Sequence, residues 1–304
     1  MTGARAAIDR IEALIHQDVG RNTETLFAAT RGGLARMAAA IAADPAPRIG
    51  FVTGFFVPDG QPPAAETDGP VGVALFASGL SRAGVTCRVI TDEPCAAGCA
   101  AALAGAGLGD VPLDVVPLGA SLDDAIAAWR AAGISLALAV ERCGRSASGP
   151  PRNMRGGDIS AHTQPLDALF LAGPWMTAAI GDGGNELGTG ALPLGLVASH
   201  VAQGDHIACV TPAHHLMMAG VSHWGCYALA AALALLRPDW RQAMLACLDP
   251  VLDLAILQAM LTEGPAVDGV TLERTATIDG LAMAAHHAHL AAIRAVVEEE
   301  VANA

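Results

Sequence analysis

The sequence predicts an α/β fold, three-layered, in which a mostly parallel, doubly wound sheet carries helices on both faces. Three observations support it. Short apolar runs alternate with alanine-rich helical stretches, and strand alternating with helix means parallel pairing through crossovers. Apolar residues make up 53% of the 304 residues but aromatics only 4%, which suits close-packed helices better than an aromatic-rich sandwich. Polar clusters follow the apolar runs, at the edge where an open parallel sheet leaves its ligand crevice.

Taken in order, an amphipathic helix is expected at about 5–16 and a longer one at about 23–43. Strands are expected at 49–53, 86–91, 113–117, 136–140, 177–180 and 207–211. Between and after them, helices are expected at 71–82, 96–104, 122–132, 164–171, 192–203 and 227–236. The last third reads as helices at 239–263 and 281–301, with a polar strand at 271–277 between them. No internal repeat or low-complexity linker interrupts the pattern, so residues 1–304 are expected to form a single domain.

Charge and composition narrow the function classes. The net charge is −13, with 17 Lys and Arg, and no basic stripe is available to neutralise phosphates, so no nucleic-acid partner is expected. An anionic substrate would have to meet a local arginine cluster. The seven cysteines are scattered, and Cys95 and Cys99 have no second pair with which to complete a zinc site. They read as free, mostly buried thiols in a reducing cytoplasm. The charged first residues are no secretory signal. Residues 216–236 carry no formal charge and are long enough to span a bilayer. However, Gly220, Ser222, His223 and Gly225 interrupt the run, which favours a buried helix and no membrane partner. Alanine-rich helices leave room for a homo-oligomer.

The most informative segment is Ile180-Gly-Asp-Gly-Gly-Asn-Glu-Leu-Gly-Thr-Gly190. A strand running into Gly181, Gly183 and Gly184 brings bare backbone close to something. Asp182 and Glu186 are four apart and share a face if a helix starts near Gly183. Neither GxGxxG nor GK[ST] is present, so no nucleotide cofactor is expected. Without an early Asp-x-Asp, a dehalogenase-type phosphatase is disfavoured as well.

Three further clusters accompany it. Capping of the helix at 71–82 accounts for Asp68 but leaves Glu66 over, so either is a candidate ligand. Glu141-Arg142-Cys143-Gly144-Arg145 combines a carboxylate with two arginines suited to bidentate carboxylate binding; the plainer reading is a surface ion-pair cluster. Arg152-Asn153-Met154-Arg155 repeats the theme, or is an exposed polar loop. His214-His215 was expected to follow the last strand. His286 and His289 share a helix face and either bind a metal or, more commonly for such tracts, face solvent.

Several motifs together resemble one family. They are Thr53-Gly-Phe-Phe-Val-Pro58, Pro62-Pro-Ala-Ala-Glu-Thr-Asp-Gly-Pro70, Glu141-Arg-Cys-Gly-Arg145, Asn153-Met-Arg155, Gly181-Asp-Gly-Gly-Asn-Glu-Leu-Gly188 and Val221-Ser-His-Trp-Gly225. Val267-Asp-Gly-Val270 and Ile278-Asp-Gly-Leu281 follow in the same order. The chain is similar to the D-glutamate cyclase-like C-terminal domain family over nearly its whole length. It departs from that pattern at Pro151-Arg152, where an aromatic pair is expected, at Ala191 for lysine and at His223 for asparagine. The resemblance implies a hydro-lyase that interconverts D-glutamate and 5-oxo-D-proline plus water.

On that reading Glu141, Asp182 and Glu186 are the candidate catalytic carboxylates, with Glu141 or Glu186 as base. Arg142, Arg145 and Arg155 clamp the substrate carboxylates, and Thr53, Asn153, Gly183, Gly184 and Asn185 complete the substrate contacts. Asp182, with Glu66 or Asp68, would hold a divalent cation, and hard oxygen ligands favour manganese or magnesium. The alternatives are a non-catalytic binding module for a small anionic metabolite and a metal-assisted hydrolase of a phosphate or amide.

Overall fold

The computed structural model describes residues 2–303. Six strands form one parallel sheet: β1 (Arg48–Thr53), β2 (Thr86–Asp92), β3 (Leu113–Val116), β4 (Leu136–Val140), β5 (Met176–Gly181) and β6 (His215–Met218). Their spatial order is β3-β2-β1-β4-β5-β6. The chain begins in the middle, winds outward to β3, returns to the other side of β1 and winds outward again. A reversal of this kind leaves a crevice beyond the carboxyl ends of β1 and β4.

Alternation along the strands builds a core on each face of the sheet. Phe51, Leu138 and Ile180 point into one, and Val52, Ala139 and Ala179 into the other. The first core is covered by α1 (Thr2–Ile15), α3 (Gly33–Ala43), α4 (Pro70–Arg82), α5 (Ala96–Gly105), α10 (Ser222–Leu236), α11 (Arg241–Cys247), α12 (Pro250–Thr262) and α13 (Met283–Ala302). The second is covered by α2 (Glu24–Thr30), α6 (Asp123–Ala131), α7 (Asp167–Ala172), α8 (Leu194–His200) and α9 (Gly204–Ile207). The fold is the three-layer, doubly wound α/β arrangement expected.

The charge-free run at 216–236 divides into β6 and α10. Residues Ser222 to Leu235 of α10 are buried, packed by α1, α3, α4, α11 and α13. Its alanines let these helices approach closely. Among the described residues no single helix is long and apolar enough to cross a membrane; α11 and α12 meet that test only together, across a 54° bend. All seven cysteines are buried and unpaired.

Four elements differ from expectation, the first being the helix expected at 239–263, which divides into α11 and α12. The helix expected at 23–43 breaks into α2 and α3 around Gly32, which takes a left-handed φ of +77°. The buried Glu12 carboxylate of α1 accepts the Gly32 and Leu34 amides at 2.6 and 2.9 Å, and so caps the new start. Of the strand expected at 207–211, Ile207 closes α9 and 208–211 runs beside the glycine loop, where the Cys209 amide donates to Gly184 O at 3.0 Å; the sixth strand lies further on, at β6. The segment 271–277 is irregular: Thr277–Ile278 pairs with Leu281–Ala282, and Glu273 makes a lone bridge with Gln61.

A buried polar network lies under α10. His223 Nε2 is 2.9 Å from Asp253 Oδ1 and 2.7 Å from the Tyr227 hydroxyl, which donates to Asp253. Trp224 Nε1 donates to His286 Nδ1 at 2.9 Å, leaving His286 Nε2 to donate to Ile278 O at 3.0 Å. His286 is therefore held as a neutral ring rather than as the metal ligand considered from its spacing. Burial, then His223, pushes its pKa down to about 4, from 6.5 when free. Because the folded value is the lower one, its contribution is complete above pH 6.5 and is lost as pH falls toward 4. Stability is expected to fall by up to about 3 kcal/mol across that window on account of this one group. Denaturant titrations of wild type and His286→Gln at pH 7 and pH 4.5 check this; an equally steep acid loss in the variant would remove His286 as the cause.

Candidate functional site

The crevice predicted by the strand order holds a cavity of about 180 Å³. One wall is apolar, from Phe55, Phe56, Val57, Met154 and Val270; the charged groups are Arg21, Glu66, Glu141, Arg155, Asp182 and Asp279. The cavity lies below the 300–1,000 Å³ usual for drug-sized ligands, so it suits a small metabolite rather than a dinucleotide.

Each carboxylate arrives on a defined piece of backbone. Glu66 ends the middle strand of a small side sheet, Phe56–Val57, Ala64–Glu66 and Ala266–Val267. That sheet orders the loop after β1. Asp68 lies two residues on, before Pro70 opens α4. Glu141 and Asp182 directly follow β4 and β5. Glu141 has φ +43°, a conformation non-glycine residues seldom adopt and one associated with functional sites. Gly69, at φ +86°, passes so close to it that an added Cβ would lie 2.9 Å from the Glu141 Cβ and 2.8 Å from Thr53 Oγ1. Only glycine allows that approach.

Asp68, Glu141 and Asp182 converge, with one oxygen from each within 4.8 Å of the others. Ser222, the first residue of α10, holds them together. Its amide donates to Asp68 Oδ2 at 3.1 Å and Asp182 Oδ2 at 3.0 Å, and its hydroxyl donates to Glu141 Oε2 at 2.7 Å. The positive end of α10 thus faces the acidic group. Burial raises all three carboxyls well above the ordinary range, aided next by Asp279 at Asp68 and by Glu186 at Glu141, with repulsion among the three behind these; Arg21 opposes the rise at Asp182. Three buried carboxylates this close repel one another unless protonated or bridged, and this triad can hold a metal ion. It contains Asp182 and Asp68, one of the two expected partners, together with Glu141; Glu66, the other, is not in it.

Glu66 stands apart from the triad and lines the cavity. Burial, and next Asp279, push its pKa up to about 8 against the pull of Arg21. A pKa raised that far keeps the protonated carboxyl accessible near neutral pH. Gly269 fits against it so tightly that an added Cβ would fall 1.9 Å from Glu66 Oε1.

The remaining expected residues separate clearly. Asn153 and Arg155 line the cavity; Asn153 Oδ1 accepts the Arg155 and Gly157 amides, at 3.1 and 2.9 Å, and so shapes the loop. Arg142 does not reach the cavity. It is fully buried beneath the crevice, bonded to Gly54 O, Asp92 Oδ2 and Gln164 O at 2.7, 2.7 and 2.5 Å. Arg145 extends outward, its Nε 3.9 Å from Asp167. Thr53 is buried behind Gly69.

The glycine loop is turned inward. No helix starts at Gly183; the Glu186 carboxylate instead accepts the amides of Asp182, Gly183 and Gly184 at 2.9, 2.6 and 2.7 Å. Asn185 donates to Arg152 O at 2.9 Å. The loop therefore presents Asp182 to the cavity, while its amides and Glu186 hold each other. His214 lies at the opposite edge of the sheet, where its Nδ1 is 2.8 Å from Thr177 Oγ1.

Two cavity residues were not anticipated. Arg21, from the link between α1 and α2, donates to Gly220 O at 3.0 Å and to Asp279, and lies 3.7 Å from Asp182. Burial works against its charge, but Asp182 and Asp279 outweigh it and raise its pKa. Asp279 has a usable sequence signal. Asp-Gly between apolar residues is a hairpin-turn signature, and here Asp279 and Gly280 form the turn, at φ +57° and +74°.

Known proteins bear directly on this site. A family described as D-glutamate cyclase-like, C-terminal, matches residues 11–294. Human mitochondrial D-glutamate cyclase is 45% identical over 103 residues, which cover 33% of this chain and 17% of that protein. Since the family match takes in every cavity residue, this chain belongs to the D-glutamate cyclase-like C-terminal family.

Proposed function

We propose that this chain is a hydro-lyase that interconverts D-glutamate and 5-oxo-D-proline plus water, in the crevice beyond β1, β4 and β5. The observation that carries the reading is a buried Glu66 of raised pKa beside an acidic triad and two arginines, in a cavity of about 180 Å³. The family match supports it.

In ring closure the amine nitrogen bonds to the γ-carboxyl carbon, and one carboxyl oxygen leaves as water. The ammonium gives up two protons, and the leaving oxygen gains two. A group with a pKa of about 8 can take the first as carboxylate and return it as acid, since both forms are accessible near neutral pH. Glu66 is therefore our acid–base residue, in preference to Glu141 or Glu186. Arg155 at the mouth meets a substrate carboxylate, and the Phe55 and Met154 wall receives the methylenes. Manganese or magnesium in the Asp68–Glu141–Asp182 triad would polarise the γ-carboxyl.

Incubation with D-glutamate or 5-oxo-D-proline, with and without manganese, followed by chiral chromatography, is expected to show interconversion. Saturable binding without turnover would replace this reading with a binding module. Manganese at a hundredfold excess over its Kd is expected to stabilise the wild type by about 2.7 kcal/mol. Asp182→Asn should lose most of that thermal shift; an undiminished shift would place the ion elsewhere.

A further inference from the structure

Asp279 is more than a partner for Arg21. One carboxylate oxygen, Oδ1, receives the Arg21 guanidinium. The other, Oδ2, is buried and has no hydrogen-bond donor among the described residues. The residue is 7% exposed and lines the cavity. A buried acceptor left without a donor is unfavourable until something donates to it.

The turn that carries Asp279 is built to hold it there. Asp268 Oδ2 accepts the Gly280 amide at 2.7 Å, and its Oδ1 accepts Val270 and Thr271 at 2.8 Å each. The two arms of the cavity wall, at 268–271 and 279–280, are thereby tied together. Glu66 lines the same cavity. A cationic N–H donor held in the cavity would satisfy Oδ2. Arg21 leaves Oδ2 unserved, since its bonds go to Asp279 Oδ1 and Gly220 O.

We propose that Asp279 is the specificity-determining residue that reads the substrate's nitrogen, its Oδ2 accepting from the ammonium group of the open-chain amino acid and placing that nitrogen beside Glu66. This rests on the reading of the cavity as an amino-acid site. It separates two tasks: Arg155, with a cation that the triad would hold, would receive carboxylates, and Asp279 distinguishes an amino dicarboxylate from a plain one.

Calorimetry at fixed manganese tests it, with D-glutamate, glutarate and 2-hydroxyglutarate as probes. Wild type is expected to bind D-glutamate at least tenfold more tightly than either nitrogen-free analogue. Asp279→Asn is expected to lose that tenfold preference while binding glutarate within twofold of wild type. Equal weakening for all three ligands would make Asp279 a support for Arg21 and overturn the inference while leaving the amino-acid reading intact. Retention of the preference by the variant would overturn it equally. The wild-type series stands without the variant: binding of all three ligands with equal affinity overturns the inference, and binding of none overturns the amino-acid reading with it.

Discussion

Replacing Arg142 with methionine is expected to destabilise the protein by about 3–5 kcal/mol while leaving the affinity for small ligands near that of wild type. The guanidinium is fully buried and joins three parts of the chain: Gly54 after β1, Asp92 at the end of β2, and Gln164 in the approach to α7. Methionine keeps much of the stem but removes the charge, leaving the Asp92 carboxylate buried without its ion partner. Removing one member of a buried pair costs about that much because the other charge stays uncompensated. At about 2–4 °C per kcal/mol for a domain of this size class, the melting midpoint should fall by roughly 10 °C. Arg155→Ala should do the reverse, since Arg155 is exposed at the mouth of the cavity: an almost unchanged midpoint and weaker binding. An unchanged midpoint in Arg142→Met, together with lost affinity, would return Arg142 to the role of substrate clamp.

Arg142 shows how far the sequence could be read. Its position after an apolar strand was plain, and so was its suitability for a carboxylate. Which carboxylate it meets depends on Asp92, fifty residues away, and on the relative placement of β2 and β4 on either side of β1. The same holds for Glu186. Its separation of four from Asp182 suggested one helix face, but the glycines close a loop in which the nearest donors are three backbone amides. A carboxylate four residues away is close in either geometry, and the sequence does not distinguish them.

The fold was more legible because its signals are local. Five of the six expected strands lie where the apolar runs place them. The exception, at 207–211, is apolar, extended and partly buried, as its composition suggests, yet it pairs with the glycine loop instead of the sheet. His215-Leu-Met-Met218 was obscured by the pair His214-His215, whose second member opens it. At the site, the Asp68, Glu141 and Asp182 cluster follows from strand ends converging on one edge. Arg21 could not have been foreseen in that way: it comes from a helix–helix link on the N-terminal side, and only packing against Gly220 and Asp279 brings it in. Asp279 lies between these cases, legible as a turn but not as a cavity wall.

Glu66→Gln is expected to lower kcat/KM by about 10²–10⁴-fold and, at the same time, to stabilise the fold at alkaline pH. The two effects share one cause. Burial and Asp279 hold the Glu66 carboxyl at a pKa of about 8, against 4.5 for a free glutamate. The folded state therefore keeps a proton that the unfolded chain releases, so the contribution of Glu66 to stability diminishes as pH rises from 4.5 through 8. Glutamine has the same shape and no charge to bury, and escapes that loss. Thermal melts at pH 5 and pH 8 should show the variant gaining on wild type only at the higher pH. Full activity in the variant would eliminate Glu66 as the acid–base group and return attention to Glu141. Lost activity with no gain at pH 8 would mean that Glu66 is already ionised in the folded protein, and therefore unsuited to give a proton to the leaving oxygen. The combination of higher stability and lost turnover distinguishes a proton-transfer group from a residue that merely supports the side sheet, since loss of a support would lower both.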